Sequence, residues 1–155
     1  MIHICQYRVI YGDTDKAGVV YYGNYLRLFE IGRTEFLRKF VKTTYKEIES
    51  LGLVMPVVEV YVRYKAPAYY DDLLNIETAI SSLDSFSVTF LYRIVRSGED
   101  TLIAQGSTKL CVCRMADGGV TRMPEGLFNA LNPLVLKSGS STSTSGNRLV
   151  HAPSM

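Results

Sequence analysis

The 155-residue sequence has no tryptophan, two histidines and three cysteines, and each shortage removes a class of chemistry. A serine or cysteine nucleophile needs a histidine base beside it. Here His3 lies in the first apolar run, His151 lies near the C-terminus, and no Gly-x-Ser-x-Gly elbow occurs. A structural zinc site takes four sulfur or nitrogen ligands, whereas Cys111 and Cys113 form a pair with no second pair to complete it. With Cys5 they are odd in number and lack the spacing of a disulfide framework, so core packing in a reduced, cytoplasmic setting is expected. Lysines and arginines occur in ones and twos around a net charge of +2, which leaves no stripe to track a nucleic-acid backbone. No apolar run approaches the roughly 18 residues of a membrane span, and the N-terminus lacks the basic start and apolar core of a secretory signal.

What is present is globular: 47% of residues are hydrophobic and 21% charged, enough for one domain with one core at this length. Ile2 to Tyr11 mixes apolar and polar residues at near-alternating spacing and reads as a strand. A loop from Gly12 to Gly23 follows, and then a helix with Asn24 as its N-cap. Tyr25, Phe29, Gly32, Phe36 and Phe40 share one face of that helix, and Arg27, Glu30, Thr34 and Arg38 the other. One glycine among large apolar residues predicts a sheet pressed close to the helix. Glu30 and Arg33, three residues apart, are expected to pair along it.

A helical turn is expected over Tyr45 to Gly52, then strands over Val54–Tyr64, Leu74–Leu83, Phe86–Arg96 and Thr101–Arg114, with hairpin links at Asp84-Ser85 and Ser97–Asp100. This order predicts an α+β fold with one antiparallel sheet and one long helix on its face. Unpaired sheet edges can merge between copies, so a homo-oligomer is expected. Residues 1–137 form the expected domain. Residues 138–155 begin with a run of serine, threonine and glycine and read as a disordered tail.

The chemistry is expected in the loop, where Asp13, Asp15, three glycines and the run Val19-Val20-Tyr21-Tyr22 lie between a strand and a helix start. Unpaired N–H groups at a helix N-terminus can stabilise a carbonyl oxygen as it becomes an oxyanion. A carboxylate on the same loop can attack that carbonyl or activate water. Taken singly, either aspartate also suits an ordinary turn, but consecutive valines and tyrosines are costly to expose and point to a pocket or interface. Counted from Asp13 as a calcium loop, the fifth position is Ala17 and the twelfth Asn24, so two ligands are missing. Asp13-Thr14-Asp15 also has the Asp-x-Asp of haloacid-dehalogenase-type phosphatases, but their parallel sheet needs helices between strands. Spacing leaves open which aspartate faces the pocket.

The stretch Tyr11-Gly12-Asp13-Thr14-Asp15-Lys16-Ala17-Gly18-Val19-Val20-Tyr21, with Asn24-Tyr25, Phe29-Glu30 and Arg33, resembles the signature of the 4-hydroxybenzoyl-CoA thioesterase family of hotdog proteins. The likeness continues through Tyr64-Lys65-Ala66-Pro67-Ala68-Tyr69-Tyr70-Asp71-Asp72 and covers roughly residues 5 to 131. It implies a curled antiparallel sheet wrapped around a long central helix, and homodimers, with active sites at the dimer interface, that pair into homotetramers. It implies acyl-CoA thioester hydrolysis to free acid and thiol, with Asp15 as catalytic carboxylate and the Tyr22 backbone N–H polarising the carbonyl. Gly18, Val20 and Asn24 are the expected substrate-binding positions. No metal or organic cofactor is implied. Alternatives within the fold are a thioesterase acting on an acyl carrier protein, a non-catalytic acyl- or aryl-binding scaffold, and a dehydratase, which needs a histidine paired with an acid.

Overall fold

A computed structural model describes residues 1–138. The elements are β1 (His3–Arg8), α1 (Asn24–Phe36), α2 (Tyr45–Ser50), β2 (Leu53–Val54), β3 (Val57–Tyr64), β4 (Leu73–Leu83), β5 (Ser87–Arg96), β6 (Thr101–Cys111), β7 (Cys113–Arg114) and α3 (Glu125–Leu131). Five strands form one antiparallel sheet in the order β1-β4-β5-β6-β3, and β2 pairs with β7 in a separate ribbon. The central strands are mostly buried, whereas nearly all of β3, at one edge, is exposed.

α1 lies across the sheet on the predicted face: Tyr25, Phe29, Gly32 and Phe36 are buried, while Arg27, Glu30 and Arg38 are exposed. The Phe29 ring stacks on Tyr92 at 4.2 Å, and Phe36 meets Phe90 edge-on. Burying each phenylalanine stabilises the fold by about 2–3 kcal/mol. A π-helical turn, Leu37–Val41, continues α1 and ends at Lys42, whose φ of 55° is left-handed.

Gly32 is where helix and sheet come closest. A Cβ there would fall on Thr78 Oγ1 and 2.8 Å from Ile76 Cγ2, both on β4. Alanine would gain about 1 kcal/mol of helix propensity, but overpacking against a rigid central strand costs about 1–3 kcal/mol. We expect the collision to prevail, with Gly32→Ala losing roughly 1–2 kcal/mol in a urea titration.

Four expectations about strand bounds and side-chain pairing change. The first strand stops at Arg8, and Tyr11–Asp13 forms a 3-10 turn. The strand expected over Val54–Tyr64 breaks at Met55-Pro56, because proline cannot donate to a ladder. The one expected over Thr101–Arg114 breaks at Val112, so its last two residues pair with β2. Glu30 and Arg33 form no ion pair: Arg33 turns into the interior while Glu30 faces out, and the surface pair on this helix is Glu35 with Arg38. The expected tail lies outside the described residues beyond Ser138.

Candidate active site

Residues 14–20 fold into a miniature hairpin. Thr14 pairs with Val20, the Asp15 N–H donates to Val19 O at 2.9 Å, and the Gly18 N–H donates back to Asp15 O at 2.9 Å. The turn passes over Lys16 and Ala17 and closes at Gly18, whose φ of 79° suits glycine. Its returning arm lies on the segment after β3: Val19 bridges Tyr69, and the Val20 N–H donates to Ala68 O at 2.8 Å. That segment is fixed in turn by Asp72, which accepts from Tyr69 N and Arg96 Nε.

The two aspartates of the loop have opposite surroundings. Asp13 is 3% exposed, and its carboxylate accepts from the Tyr7 hydroxyl at 2.8 Å, the Ile10 N–H at 2.9 Å and the Arg27 guanidinium. Its carbonyl accepts from Tyr21 N and from Asn24 Nδ2. Every acceptor of Asp13 is therefore engaged in holding the loop to β1 and α1. Asp15 is exposed; Oδ1 accepts from the Ala17 N–H at 2.8 Å, and Oδ2 has no protein partner among the described residues. Environment thus separates the two carboxylates where spacing could not.

Asn24 is not the N-cap. Gly23 takes that place, without a side-chain cap, and Asn24 is drawn back 2.8 Å from Asp13 O as the first helical residue. The bare glycine leaves the helix start uncovered by its own side chain, with the Tyr21 ring lying across it at 3.0 Å from where a Cβ would be. Tyr22 is 63% exposed. Its carbonyl accepts from the Tyr64 hydroxyl of β3 at 2.9 Å, and its N–H has no acceptor among the described residues. Tyr21 and Tyr22 sit with ring centroids 4.5 Å apart, and Tyr64 contacts both Tyr22 and Tyr25 edge-on.

The neighbouring Tyr22 phenol, with the Asp15 charge nearby, pushes the Tyr21 hydroxyl above its ordinary value. Burial pushes Tyr25 up to about 12 and raises Tyr64. These phenols therefore remain protonated at neutral pH and can donate hydrogen bonds without adding charge beside Asp15.

The expected site residues fall into two groups. Asp15, Tyr22 and Gly18 are at the surface of the loop and helix start. Val20 is 5% exposed in the core, and the side-chain amide of Asn24 is engaged with Asp13. Sequence reasoning missed Tyr64, because nothing local shows that a β3 tyrosine reaches the carbonyl of Tyr22. Arg122, away from this loop, lies over the Phe86 ring at 5.5 Å beside the β4–β5 hairpin. Among the described residues no three histidines, cysteines or acidic residues converge as a metal site, and no helix is long and apolar enough to cross a membrane.

Comparison with known proteins adds independent evidence. Residues 9–131 match the family model described as Thioesterase-like superfamily. The acyl-CoA thioester hydrolase YbgC of Escherichia coli O157:H7 is 39% identical over 106 residues, covering 68% of this chain and 77% of that protein. The 4-hydroxybenzoyl-CoA thioesterase of Pseudomonas sp. is 29% identical, over 73% of this chain and 83% of that one. A hypothetical protein of Thermus thermophilus superposes with a TM-score of 0.81 at 31% identity, over 88% of this chain and all of the other.

Proposed function

The chain belongs to the thioesterase-like superfamily, and from that premise we propose that it hydrolyses acyl-CoA thioesters through the carboxylate of Asp15. Its five-stranded antiparallel sheet with one helix across the face is the hotdog fold, which residues 1–137 complete as a domain. The observation that carries the proposal is the contrast within one loop. Asp13 is saturated by three donors, while Asp15, on the loop that leads into a helix start without a side-chain cap, keeps one oxygen without a partner among the described residues.

In this reading the thioester carbonyl accepts from the Tyr22 N–H and the positive end of α1, which stabilises charge as the carbonyl becomes tetrahedral. The free oxygen of Asp15 either attacks that carbon, giving an anhydride, or takes a proton from the water that does. Label found in Asp15 after turnover in ¹⁸O-water would establish the anhydride route, since only an anhydride opened at the Asp15 carboxyl carbon leaves label there. Gly18 sets the turn and Asn24 ties the helix start to Asp13; both position the site. The exposed Tyr21 and Tyr22 rings border the acyl group and suit aromatic as well as aliphatic acids. Thiol release from short, medium, long and aromatic acyl-CoA, set against the matching acyl-carrier-protein thioesters, tests activity, acyl preference and carrier together.

We also propose that the working unit is a homodimer, pairing further into a homotetramer, in the cytoplasm. β3 is an edge strand whose Val57, Val58, Val60, Tyr61 and Tyr64 are all exposed, and an uncovered apolar edge invites pairing with a second chain. Because Tyr64 also bonds to Tyr22, a partner joined there stands beside Asp15 and completes a site that one chain leaves open. Val60→Glu places a charge on that edge. We expect light scattering to show single chains and thiol release to fall at least tenfold, whereas an unchanged oligomer would place the interface elsewhere.

A further inference from the structure

Arg27, Arg93 and Arg96, three other arginines of the fold, each meet a carboxylate. Arg33 is the most buried arginine among the described residues, at 8% exposure, and no carboxylate there lies within salt-bridge distance of it. Its guanidinium faces the hydroxyls of Tyr45 and Tyr92. Tyr92 is committed to Thr108 at 2.6 Å, and neither Arg33 Nε nor the Tyr45 hydroxyl completes a hydrogen bond among the described residues. Burial raises both phenols above their ordinary range, so neither supplies negative charge. The two tyrosines favour the charged guanidinium, but a buried cation with no anion beside it still carries a large desolvation cost.

A cavity of about 370 Å³ opens onto this group between α1, α2 and the chain from β2 into β3. Val54, Met55, Pro56 and Val57 give it an apolar side, Arg33 and Tyr45 a polar one, and the exposed Glu30 and Glu49 stand at its rim. Each feature selects among anions. The run from Val54 to Val57 suits a ligand with an apolar body rather than a bare inorganic ion, and the two rim glutamates, which oppose any anion, oppose a polyanion such as a phosphorylated ligand most. A single carboxylate on an apolar body satisfies all three, with its oxygens accepting from Arg33, whose planar fork matches a carboxylate. We propose that this cavity is a binding site for a monocarboxylic acid, held by Arg33 and Tyr45 and distinct from the Asp15 site. Asn24 and Arg33 are nine residues apart on α1, about 13 Å along its axis, so a thioester carbonyl at the helix start does not occupy the cavity of the same chain. The proposal does not depend on the hydrolytic reading.

The test is calorimetric titration of the full-length protein with benzoate and octanoate, beside benzamide as the neutral isostere and inorganic phosphate as the bare anion. Wild type and Asp15→Asn are expected to bind the two acids alike, with benzamide and phosphate at least tenfold weaker. Arg33→Met is expected to lose at least tenfold in acid affinity, and Arg33→Lys to regain part of it. Tyr45→Phe, which keeps the ring and removes only the hydroxyl, is expected to weaken binding severalfold and serves if Arg33→Met does not fold. Equal affinity for benzoate and benzamide would overturn the proposal. So would acid binding that tightens severalfold in Asp15→Asn, where loss of the neighbouring negative charge would place the acid in the hydrolytic site, and so would no binding at millimolar concentration, which would leave the cavity to water.

Discussion

Asp15→Asn is expected to lower the rate of acyl-CoA hydrolysis by roughly 10²–10⁴-fold while leaving the fold intact. The carboxylate sits on an exposed turn, and its one hydrogen bond among the described residues is accepted by Oδ1 from the Ala17 N–H. Asparagine keeps an oxygen there, so the turn that orients residue 15 persists. What disappears is a second oxygen able to attack or to take a proton. Surface changes of this kind usually alter stability by no more than about 0.5 kcal/mol, so the melting temperature is expected to stay within a degree or two. Thiol release from a preferred acyl-CoA, with a melt of the same preparation, checks both halves. Equal rates in the two proteins would remove Asp15 from the reaction; Asp13 could not replace it without abandoning Tyr7, Ile10 and Arg27.

The sequence made some of this legible because the physics is local. Burial of every fourth residue or so in α1 follows from helical period, and Gly32 among phenylalanines marked the close approach that the β4 side chains confirm. The hairpins at Asp84-Ser85 and Ser97–Asp100 also followed from turn residues, and the capped helix at Tyr45 sits within its expected range. Other features depend on distant partners. Asn24 has the right chemistry for a cap, but a carbonyl eleven residues back takes its amide, and a glycine stands in its place. Arg33 has a glutamate at helical spacing and still turns inward. α3 carried no clear periodic signal in its seven residues, and its docking becomes visible only in the folded chain, where Leu131 is buried. Asp13 and Asp15 are the clearest instance. Two identical side chains separated by one threonine could be told apart only by which donors the fold brought to each.

Asp13→Ala is accordingly expected to have the opposite signature. Removing this carboxylate leaves the Ile10 N–H and the Tyr7 hydroxyl without their acceptor and Arg27 without its counter-ion. The acceptor lost is itself buried, and stranding its donors costs about 1–3 kcal/mol each when they stay dry. Arg27 is nearly half exposed, so solvent restores much of its share. A net loss of about 2–4 kcal/mol follows, or roughly 5–15 °C in melting temperature for a domain of this size. Activity is expected to fall as well, even with Asp15 intact, because Asp13 O holds both Tyr21 and Asn24 and so sets the angle between the loop and the helix start. Asp13→Asn, which can still accept from Tyr7 or Ile10 but carries no charge for Arg27, should lose less stability than alanine. If Asp13→Ala instead melted with the wild type and lost only turnover, Asp13 would be acting on the substrate, and the assignment of structural and catalytic roles to the two aspartates would have to be exchanged.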